Sequence, residues 1–300
     1  MPAPPFFRTP DERFAGLLGF AFAPHYAEFD GLRMHYLDEG GGGEGTMLLL
    51  HGEPSWSFLY RNLIPVFVAA GYRCIAPDMI GFGRSDKVTD PGWYTLDAHA
   101  GMLRRLIEAL DLQDITLVCQ DWGGPIGLVN ATETPGRFAR LVILNTWLHR
   151  HDFPYTPALR GWHERSKSVD FSRMGAGPWA IGSVDPPEVL EAGYTAPFPV
   201  DVPEAQVGAF RWPWMLPFAN PVEGGADRQE AAYAALGRWD KPAHVIFGAL
   251  DPVFPPSWGE EFAAHIPGAT FDLVQGAAHM VQEAGPALAE LILQRISEER

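Results

Sequence analysis

The sequence predicts an α/β fold in which a mostly parallel, doubly wound sheet carries an inserted helical cap. Three observations support this prediction. Short apolar runs alternate with segments of helical periodicity over most of the chain. The alternation stops between residues 147 and 228, where Pro, Trp and Gly are frequent. Finally, an apolar run followed by a sharp, Gly-rich turn surrounds Asp121, a pattern typical of a strand that turns directly into a helix.

The predicted sheet begins with a hairpin, because Glu28–Glu39 alternates in polarity around the turn dipeptide Asp30-Gly31. Later runs have the length and apolar character of strands buried on both faces. They are Met47–His51, Cys74–Pro77, Ile115–Gln120, Leu141–Asn145 and Val245–Leu250, and Phe271–Val274 follows near the end. Helices are predicted at Leu96–Leu112, Ile126–Glu133 and Pro286–Glu298.

Residues 147–228 are predicted to form the helical cap, inserted after the strand Leu141–Asn145 and containing short helical pieces such as Pro187–Ala192. A long disordered loop is the alternative, but the many large aromatic side chains argue against it. The α/β core then consists of residues 1–146 and 229–300.

Composition limits the function classes. The chain has 300 residues, 47% of them hydrophobic, with 22 Lys and Arg against 37 Asp and Glu, for a formal net charge of −15. An acidic surface argues against nucleic-acid and anionic membrane partners and favours a neutral small molecule. Cys74 and Cys119 lie in apolar runs, so we expect reduced, buried thiols. Since no secretory signal or membrane-spanning run is evident, we expect a cytoplasmic protein. Separately, we expect a monomer rather than an oligomer.

The turn after Ile115–Gln120 places Asp121 where a catalytic nucleophile is held at a strand-to-helix elbow. A serine at this position attacks acyl carbons, whereas a carboxylate is suited to displacing a leaving group from a saturated carbon and forming an alkyl ester. No Ser of the chain lies in a competing G-x-S-x-G pattern. The residue type therefore predicts hydrolysis of alkyl halides or, failing that, of epoxides.

Two residues in late loops complete a candidate triad with Asp121. Asp251 follows the strand Val245–Leu250, and His279 lies in a loop of small residues before the last predicted helix. The chain order nucleophile, acid, base favours a general base at His279 that is oriented by Asp251. The alternatives are an ordinary turn aspartate and a structural or solvated histidine.

Hydrolysis of an ester on Asp121 needs an oxyanion hole. His51-Gly52-Glu53-Pro54 ends the strand Met47–His51, so the backbone N–H of Glu53 is predicted to pair with the backbone N–H of Trp122 at this hole. A simple strand-ending turn is the alternative for Glu53.

Two motifs are interpreted as non-functional. Gly40–Gly45 fits G-x-G-x-x-G by letter, but a strand follows it where a dinucleotide site needs a helix. His149–Asp152 contains potential metal ligands without any accompanying ligand cluster, which favours a solvated turn. We expect neither a metal nor an organic cofactor.

Several segments together resemble the haloalkane dehalogenases of the α/β-hydrolase superfamily. They are His51–Trp56, Asp78–Asp86, Gln120–Gly124, the cap stretch Ala196–Pro199 and the loops of Asp251 and His279. The resemblance covers most of the chain and implies an α/β-hydrolase fold with an inserted cap. Gln before Asp121 is more typical of dehalogenases than of epoxide hydrolases. Fluoroacetate dehalogenases are less similar, since they typically have Arg after the nucleophile.

A departing halide needs N–H donors in a dry pocket, and the indole of Trp122 adjoins the nucleophile. One subgroup of the family has Asn where this chain has Glu53, so the resemblance implies the other subgroup, with its second donor on a cap tryptophan. We choose Trp162 from its offset to Ala196–Pro199; a role as cap core is the alternative. Because an ionised Glu53 would repel a halide, its side chain is expected to be turned away or partnered. Trp212 and Pro213 are candidate pocket-lining residues.

The predicted function is thus hydrolysis of a small apolar halogenated substrate to an alcohol, a halide ion and a proton. An epoxide hydrolase is the enzyme alternative and would need tyrosine acids, for which Tyr155, Tyr194 and Tyr233 are available. A non-catalytic receptor on the same fold is the other alternative, disfavoured by an intact set of Asp121, Asp251 and His279.

Overall fold

The computed structural model describes residues 4–41 and 43–299. The two ends of the predicted core and one glycine of the Gly40–Gly45 run therefore lie outside the described residues.

The described residues contain one large sheet and one small strand pair. Strands β1 (Phe6–Phe7) and β6 (Lys87–Val88) pair with each other. The large sheet is made of eight strands: β2 (His25–Phe29), β3 (Leu32–Glu39), β4 (Thr46–Leu50), β5 (Arg73–Pro77), β7 (Ile115–Cys119), β8 (Phe138–Leu144), β9 (Ala243–Gly248) and β10 (Thr270–Val274). Their spatial order is β10-β9-β8-β7-β4-β5-β3-β2. β2 and β3 pair antiparallel, β3 pairs antiparallel with β5, and the other neighbours are parallel.

The α-helices of the described residues are α1 (Ile64–Ala69), α2 (Leu96–Ala109), α3 (Gly123–Glu133), α4 (Pro157–Arg165), α5 (Pro187–Thr195), α6 (Val207–Trp214), α7 (Ala226–Leu236), α8 (Pro256–His265) and α9 (Pro286–Ser297). Short 3₁₀ turns join several of them, at Asp11–Phe14, Ser57–Tyr60, Pro91–Trp93, Pro135–Arg137, Ser166–Ser168, Gly177–Ala180, Pro203–Gln206 and Val281–Ala284. None of the helices in these residues combines the length and apolar character needed to cross a bilayer.

Apolar side chains cover both faces of the sheet, because successive residues of the central strands point to opposite faces. In β4, Leu48 and Leu50 belong to one apolar cluster, which includes residues of α2, α3 and α8. Met47 and Leu49 belong to the other, with residues of α1 and α9. Side chains of a strand point alternately to opposite faces, so a continuous apolar run is the expected sequence of a strand covered twice.

The predicted types and order of the strands and helices are largely confirmed, whereas several of their boundaries differ. The hairpin forms with Phe29 opposite Leu32. The predicted strand Val245–Leu250 is observed two residues earlier as β9, and the predicted helix Ile126–Glu133 begins three residues earlier, at Gly123. Helices α1, α7 and α8 were not predicted. The sulfhydryls of Cys74 and Cys119 are free and buried, as expected.

Helices α4, α5 and α6 follow β8 in the region predicted as the cap. The predicted boundary between residues 228 and 229 falls inside α7, which packs on α3 of the core. This placement favours a division before α7 rather than within it, because cutting a helix would separate groups that share backbone hydrogen bonds. The division into core and cap itself remains a prediction.

Candidate active site

Asp121 lies at the sharp turn between β7 and α3, with a left-handed backbone φ of 51°. A non-glycine residue in this conformation is strained and is held there by its surroundings. Its N–H donates to Asn145 O at 2.8 Å, and its carbonyl oxygen accepts from Thr146 Oγ1 at 2.6 Å. The strained conformation presents the carboxyl group above the carboxyl edge of the sheet, as the strand–turn–helix pattern predicts.

Small residues make the elbow possible. A Cβ atom added to Gly52 would lie 2.2 Å from the Cβ of Asp121, and one added to Gly124 would lie 1.9 Å from Thr146 Oγ1. Both distances are far inside van der Waals contact. Glycine is therefore required at these two positions by close approach, and the glycines around the predicted nucleophile reflect packing as well as backbone freedom.

His279 is brought between Asp121 and Asp251. Its Nδ1 lies 2.9 Å from Asp251 Oδ2, and its Nε2 lies 3.6 Å from Asp121 Oδ2. Asp251 Oδ1 accepts from the backbone N–H groups of Val253 and Phe254 at 2.7 and 3.1 Å. A carboxylate held this way orients the imidazole with Nδ1 as the donor, which leaves the Nε2 lone pair facing the nucleophile.

Burial and nearby charges act in opposite directions on the pKa of His279. Burial acts to lower the pKa of His279, but the charges of Asp251 and Asp121 outweigh it and raise the pKa above its ordinary value. The Gln120 amide lies 3.1 Å from His279 Nε2 and also donates to the His279 carbonyl at 3.2 Å. A raised pKa makes the imidazole a stronger base, which suits a group that accepts a proton from water.

The two predicted oxyanion donors converge on Asp121. The backbone N–H of Glu53 donates to Asp121 Oδ1 at 2.8 Å, and the backbone N–H of Trp122 also hydrogen-bonds the carboxyl group. Burial raises the pKa of Asp121, while His279 and these two N–H groups counteract the increase. N–H donors on a carboxylate oxygen are already in place for the negative charge that the same oxygen carries in a tetrahedral intermediate.

A small cavity opens beside these groups. Water-sized spheres can occupy about 30 Å³ of it, against the roughly 10–15 Å³ that one water needs. Its walls are mainly apolar, and the residues that line it are Glu53, Pro54, Asp121, Leu159, Trp162, Met174, Trp179, Val253, His279 and Met280. A small apolar molecule would thus lie against the Asp121 carboxyl group.

Trp162 lines this cavity from α4, and its indole Nε1 donates to Glu53 Oε2 at 3.0 Å. We expected the Glu53 side chain to be either turned away or partnered, and the structure shows it partnered. Its partner, however, is the same N–H that was predicted to bind the halide. Burial raises the pKa of Glu53 well above its usual range, the charge of Asp121 raises it further, and the Trp162 hydrogen bond acts in the opposite direction.

The structure does not bring Trp212 and Pro213, the two predicted pocket residues, to the cavity wall. Trp212 is fully buried, and its indole N–H donates to His99 Nε2 at 2.8 Å. The Pro213 carbonyl accepts from His163 Nδ1 at 2.8 Å. Both residues belong to α6, which packs against the core behind Trp122, whose ring centroid is 5.9 Å from that of Trp212. Trp122 itself is buried and adjoins Asp121 without lining the cavity.

The tyrosines that an epoxide hydrolase would need do not line the cavity either. Tyr194 donates its hydroxyl proton to Glu283, and Tyr233 donates to Glu261 Oε1 at 3.2 Å. The Tyr155 hydroxyl lies 3.0 Å from His149 Nδ1. Since each phenol has a partner elsewhere, none is positioned to protonate an opening epoxide.

Two further sequence motifs contain potential ligands and were interpreted as non-functional. A strand, β4, follows the Gly40–Gly45 run, whose Gly42 lies outside the described residues. His151 is highly exposed beside Asp152, and within the described part of the chain no group of three or more His, Cys, Asp or Glu residues is arranged to hold a metal ion.

Sequence reasoning missed two residues of the site. Asn145 Nδ2 donates to Asp251 Oδ2 at 2.7 Å, and its backbone carbonyl holds the elbow, so one residue connects acid and nucleophile. Trp179 lines the cavity, with its ring centroid 5.8 Å from that of Trp162 and 6.1 Å from that of His279. An Asn directly after a central strand was a usable signal, because parallel strands end at the same edge. Trp179 lies in the short 3₁₀ turn Gly177–Ala180, in a stretch whose sequence has no periodic pattern to predict that it faces the cavity.

Comparisons with known proteins agree with this geometry. A family model for the α/β hydrolase fold matches residues 45–165. A haloalkane dehalogenase of Psychrobacter cryohalolentis is 39% identical over 96% of this chain and 97% of its own length. One from Mycobacterium marinum is 41% identical over 95% of this chain and 98% of its own. The solved tetrameric haloalkane dehalogenase DpaA of Paraglaciecola agarilytica superposes with a TM-score of 0.87 at 35% identity, covering 97% of this chain and 98% of that one.

The chain has the α/β-hydrolase fold, a carboxylate at its nucleophile elbow and near full-length similarity to enzymes of one activity. It therefore belongs to the haloalkane dehalogenase family, hydrolases that act on carbon–halogen bonds.

Proposed function

We propose that this protein hydrolyses small alkyl halides to an alcohol, a halide ion and a proton through a covalent alkyl ester on Asp121. The observation that carries the proposal is the Asp121 carboxyl group at the wall of a small, mainly apolar cavity, within 3.6 Å of an imidazole that Asp251 orients.

In the first half-reaction, a carboxylate oxygen of Asp121 attacks the carbon that bears the halogen. A bond forms between this oxygen and the carbon, and the carbon–halogen bond breaks with its electron pair leaving on the halide. The leaving ion is stabilised by indole N–H groups, for which Trp122 and Trp162 are proposed. Trp162 is supported by its position on the cavity wall and Trp122 by its place beside the nucleophile.

In the second half-reaction, water attacks the carbonyl carbon of the Asp121 ester. His279 Nε2 takes the proton of this water, and Asp251 holds the imidazolium that results. The N–H groups of Glu53 and Trp122 stabilise the tetrahedral oxyanion. Collapse of the intermediate breaks the bond between the carbonyl carbon and the alkoxy oxygen. The leaving alkoxide takes the second proton of the attacking water, so the alcohol departs and the carboxylate is restored; the proton on His279 then leaves for solvent.

The size of the cavity sets an expectation for the substrate. With about 30 Å³ open to water-sized spheres, the site as it stands has room for roughly two waters. Short alkyl halides come nearest to this size, whereas long or branched ones would displace more of the wall, which includes Leu159, Met174 and Met280. We therefore propose a preference for short, unbranched substrates.

A panel of bromoalkanes, chloroalkanes and epoxides of increasing length tests the proposal. Halide release from short bromoalkanes with no diol from the epoxides is the expected result. Diol formation without halide release would instead indicate the epoxide hydrolase activity. The monomeric state and the cytoplasmic location remain predictions, to be measured by light scattering and by cell fractionation.

A further inference from the structure

Glu53 contributes its backbone N–H to the proposed oxyanion hole, but that role makes no use of its side chain. The residue is 7% exposed, and it lines the cavity beside Asp121. One carboxyl oxygen, Oε2, accepts the Trp162 indole N–H. The other, Oε1, is buried and has no hydrogen-bond partner among the described residues.

An ionised carboxylate in this setting would be poorly compensated. It would face the charge of Asp121, keep one oxygen without a donor, and find neither Lys nor Arg on the cavity wall. Burying a charge without a counter-ion or a full set of hydrogen bonds is expensive, so the side chain is more stable as the neutral acid. The proton then resides on Oε1, and Oε2 remains the acceptor for Trp162.

The proposed halide site and Glu53 compete for the same N–H. An ionised Glu53 would hold the Trp162 indole through a charge-assisted hydrogen bond and would also repel an incoming anion. A neutral Glu53 holds the indole through a weaker bond and brings no repulsion. The state of this carboxyl group thus decides whether the indole is free to bind a halide.

We propose that Glu53 couples halide binding to a proton: a halide takes the Trp162 N–H while the Glu53 carboxyl is protonated, and deprotonation of Glu53 expels it. This inference rests on the proposed function, since it concerns the leaving ion of that reaction. It assigns to Glu53 a role in product release that is separate from its backbone role at the oxyanion hole.

The direction of the pH dependence follows from the raised pKa of Glu53, which burial and then the Asp121 charge produce. Below that pKa the side chain is neutral and halide binding is at its tightest. Above it, the competent fraction falls about tenfold per pH unit, and the apparent dissociation constant rises by the same factor.

Other titratable groups face Glu53 and must be separated from it. Asp121 faces it from the elbow between β7 and α3, and His279 faces it from the loop after β10, with Asp251 behind the imidazole. The contacts from α4 and from the segment before α5 are uncharged. A protonated His279 also attracts an anion, so the test has to include variants without this imidazole.

The experiment measures bromide binding by quenching of tryptophan fluorescence from acidic to alkaline pH, over the whole range in which the protein stays folded. It compares the wild type, Glu53→Gln, His279→Gln and the double variant. Gln imitates the neutral acid in size and still offers an oxygen to Trp162. Glu164→Gln is the matched control, because Glu164 lies on the same helix as Trp162 with its side chain largely in solvent.

In His279→Gln the dissociation constant for bromide should still rise about tenfold per pH unit above the Glu53 pKa. In the double variant it should be flat, and Glu53→Gln alone should bind bromide at high pH at least tenfold more tightly than the wild type. Above the Glu53 pKa, calorimetry of His279→Gln in buffers of different ionisation enthalpy should show about one proton taken up per bromide bound. Glu164→Gln should follow the wild-type profile.

An unchanged slope in the double variant, or bromide binding without proton uptake in His279→Gln, overturns the inference. Circular dichroism shows whether each variant is folded. The bromoalkane assay on the wild type tests the proposed function separately from the coupling. If the wild type releases no halide from any bromoalkane, the proposed function fails. If it does and the Glu53 variants behave otherwise than stated, only the coupling fails.

Discussion

Replacing Trp162 by Phe tests how the halide site works, because the change removes one N–H and keeps most of the aromatic packing. In the resting structure that N–H already donates to Glu53 Oε2 at 3.0 Å. At the proposed site a halide would therefore not gain a new hydrogen bond; it would exchange one that the enzyme has already made.

The exchange sets the magnitude. A hydrogen bond between neutral groups contributes about 0.5–1.5 kcal/mol and one to an ion about 1.5–3 kcal/mol, so the net gain from the exchange is about 1–1.5 kcal/mol. Trp162→Phe should weaken bromide binding by about five- to tenfold. A free indole N–H would have given a loss of up to about a hundredfold.

Fluorescence quenching by bromide and kcat/KM for chloroalkanes and bromoalkanes are the measurements. The loss in kcat/KM should be larger for chloroalkanes, since chloride is the poorer leaving group and depends more on stabilisation in the transition state. Trp179→Phe is the informative comparison, because Trp179 lines the same cavity next to Trp162. If Trp179→Phe abolishes quenching and Trp162→Phe leaves it intact, Trp179 is the second donor and the reasoning about Trp162 is refuted.

The remaining predictions concern the nucleophile, the base and the elbow. Asp121→Ala should abolish halide release with an unchanged circular dichroism spectrum; turnover by the folded variant would refute its role. His279→Phe should accumulate an alkylated enzyme that mass spectrometry detects on Asp121, since the base acts only on water, and an unmodified protein with bound substrate would contradict this. In the ester intermediate Asp121 is neutral, but the charge and hydrogen bond of Asp251 still act to raise the pKa of His279. Ester hydrolysis should therefore slow as the pH drops through the pKa of His279, and Asp251→Asn should move this acidic limb to lower pH in a stopped-flow pH profile. Gly124→Ala places a Cβ 1.9 Å from Thr146 Oγ1 and should lower the free energy of unfolding by about 1–3 kcal/mol in urea melts. The matched control is Gly136→Ala, where a Cβ meets nothing within contact distance, and it should not show this loss.

Local sequence patterns determined the class of fold and predicted the candidate reactive groups. Apolar runs such as Ile115–Cys119 are strands because both faces of the sheet are covered, and each face rejects polar side chains. The elbow was readable because a residue type, its glycines and the preceding strand all lie within a few positions of one another. Asp251 and His279 were readable because each follows a strand that ends at the same edge of a parallel sheet.

Helix boundaries were less readable where the sequence gives no periodic signal. α3 is almost uniformly buried, so its residues show little difference between faces, and its first turn holds the glycines of the elbow. α7 was not predicted and carries the predicted cap boundary within it. In both cases packing against neighbouring helices, which is not encoded in local periodicity, decides where the helix begins.

The walls of the cavity were decided by tertiary structure alone. Trp212 and Trp179 are both cap tryptophans by sequence, yet the first turns inward to His99 and the second reaches the cavity. Which indole faces a site depends on how the cap helices pack on the core, and this involves contacts between residues far apart in the chain. The bond from Trp162 to Glu53, 109 residues away in sequence, is such a contact. The sequence by itself determined the class of fold and predicted which groups carry the chemistry, and only the folded chain decided which of them meet.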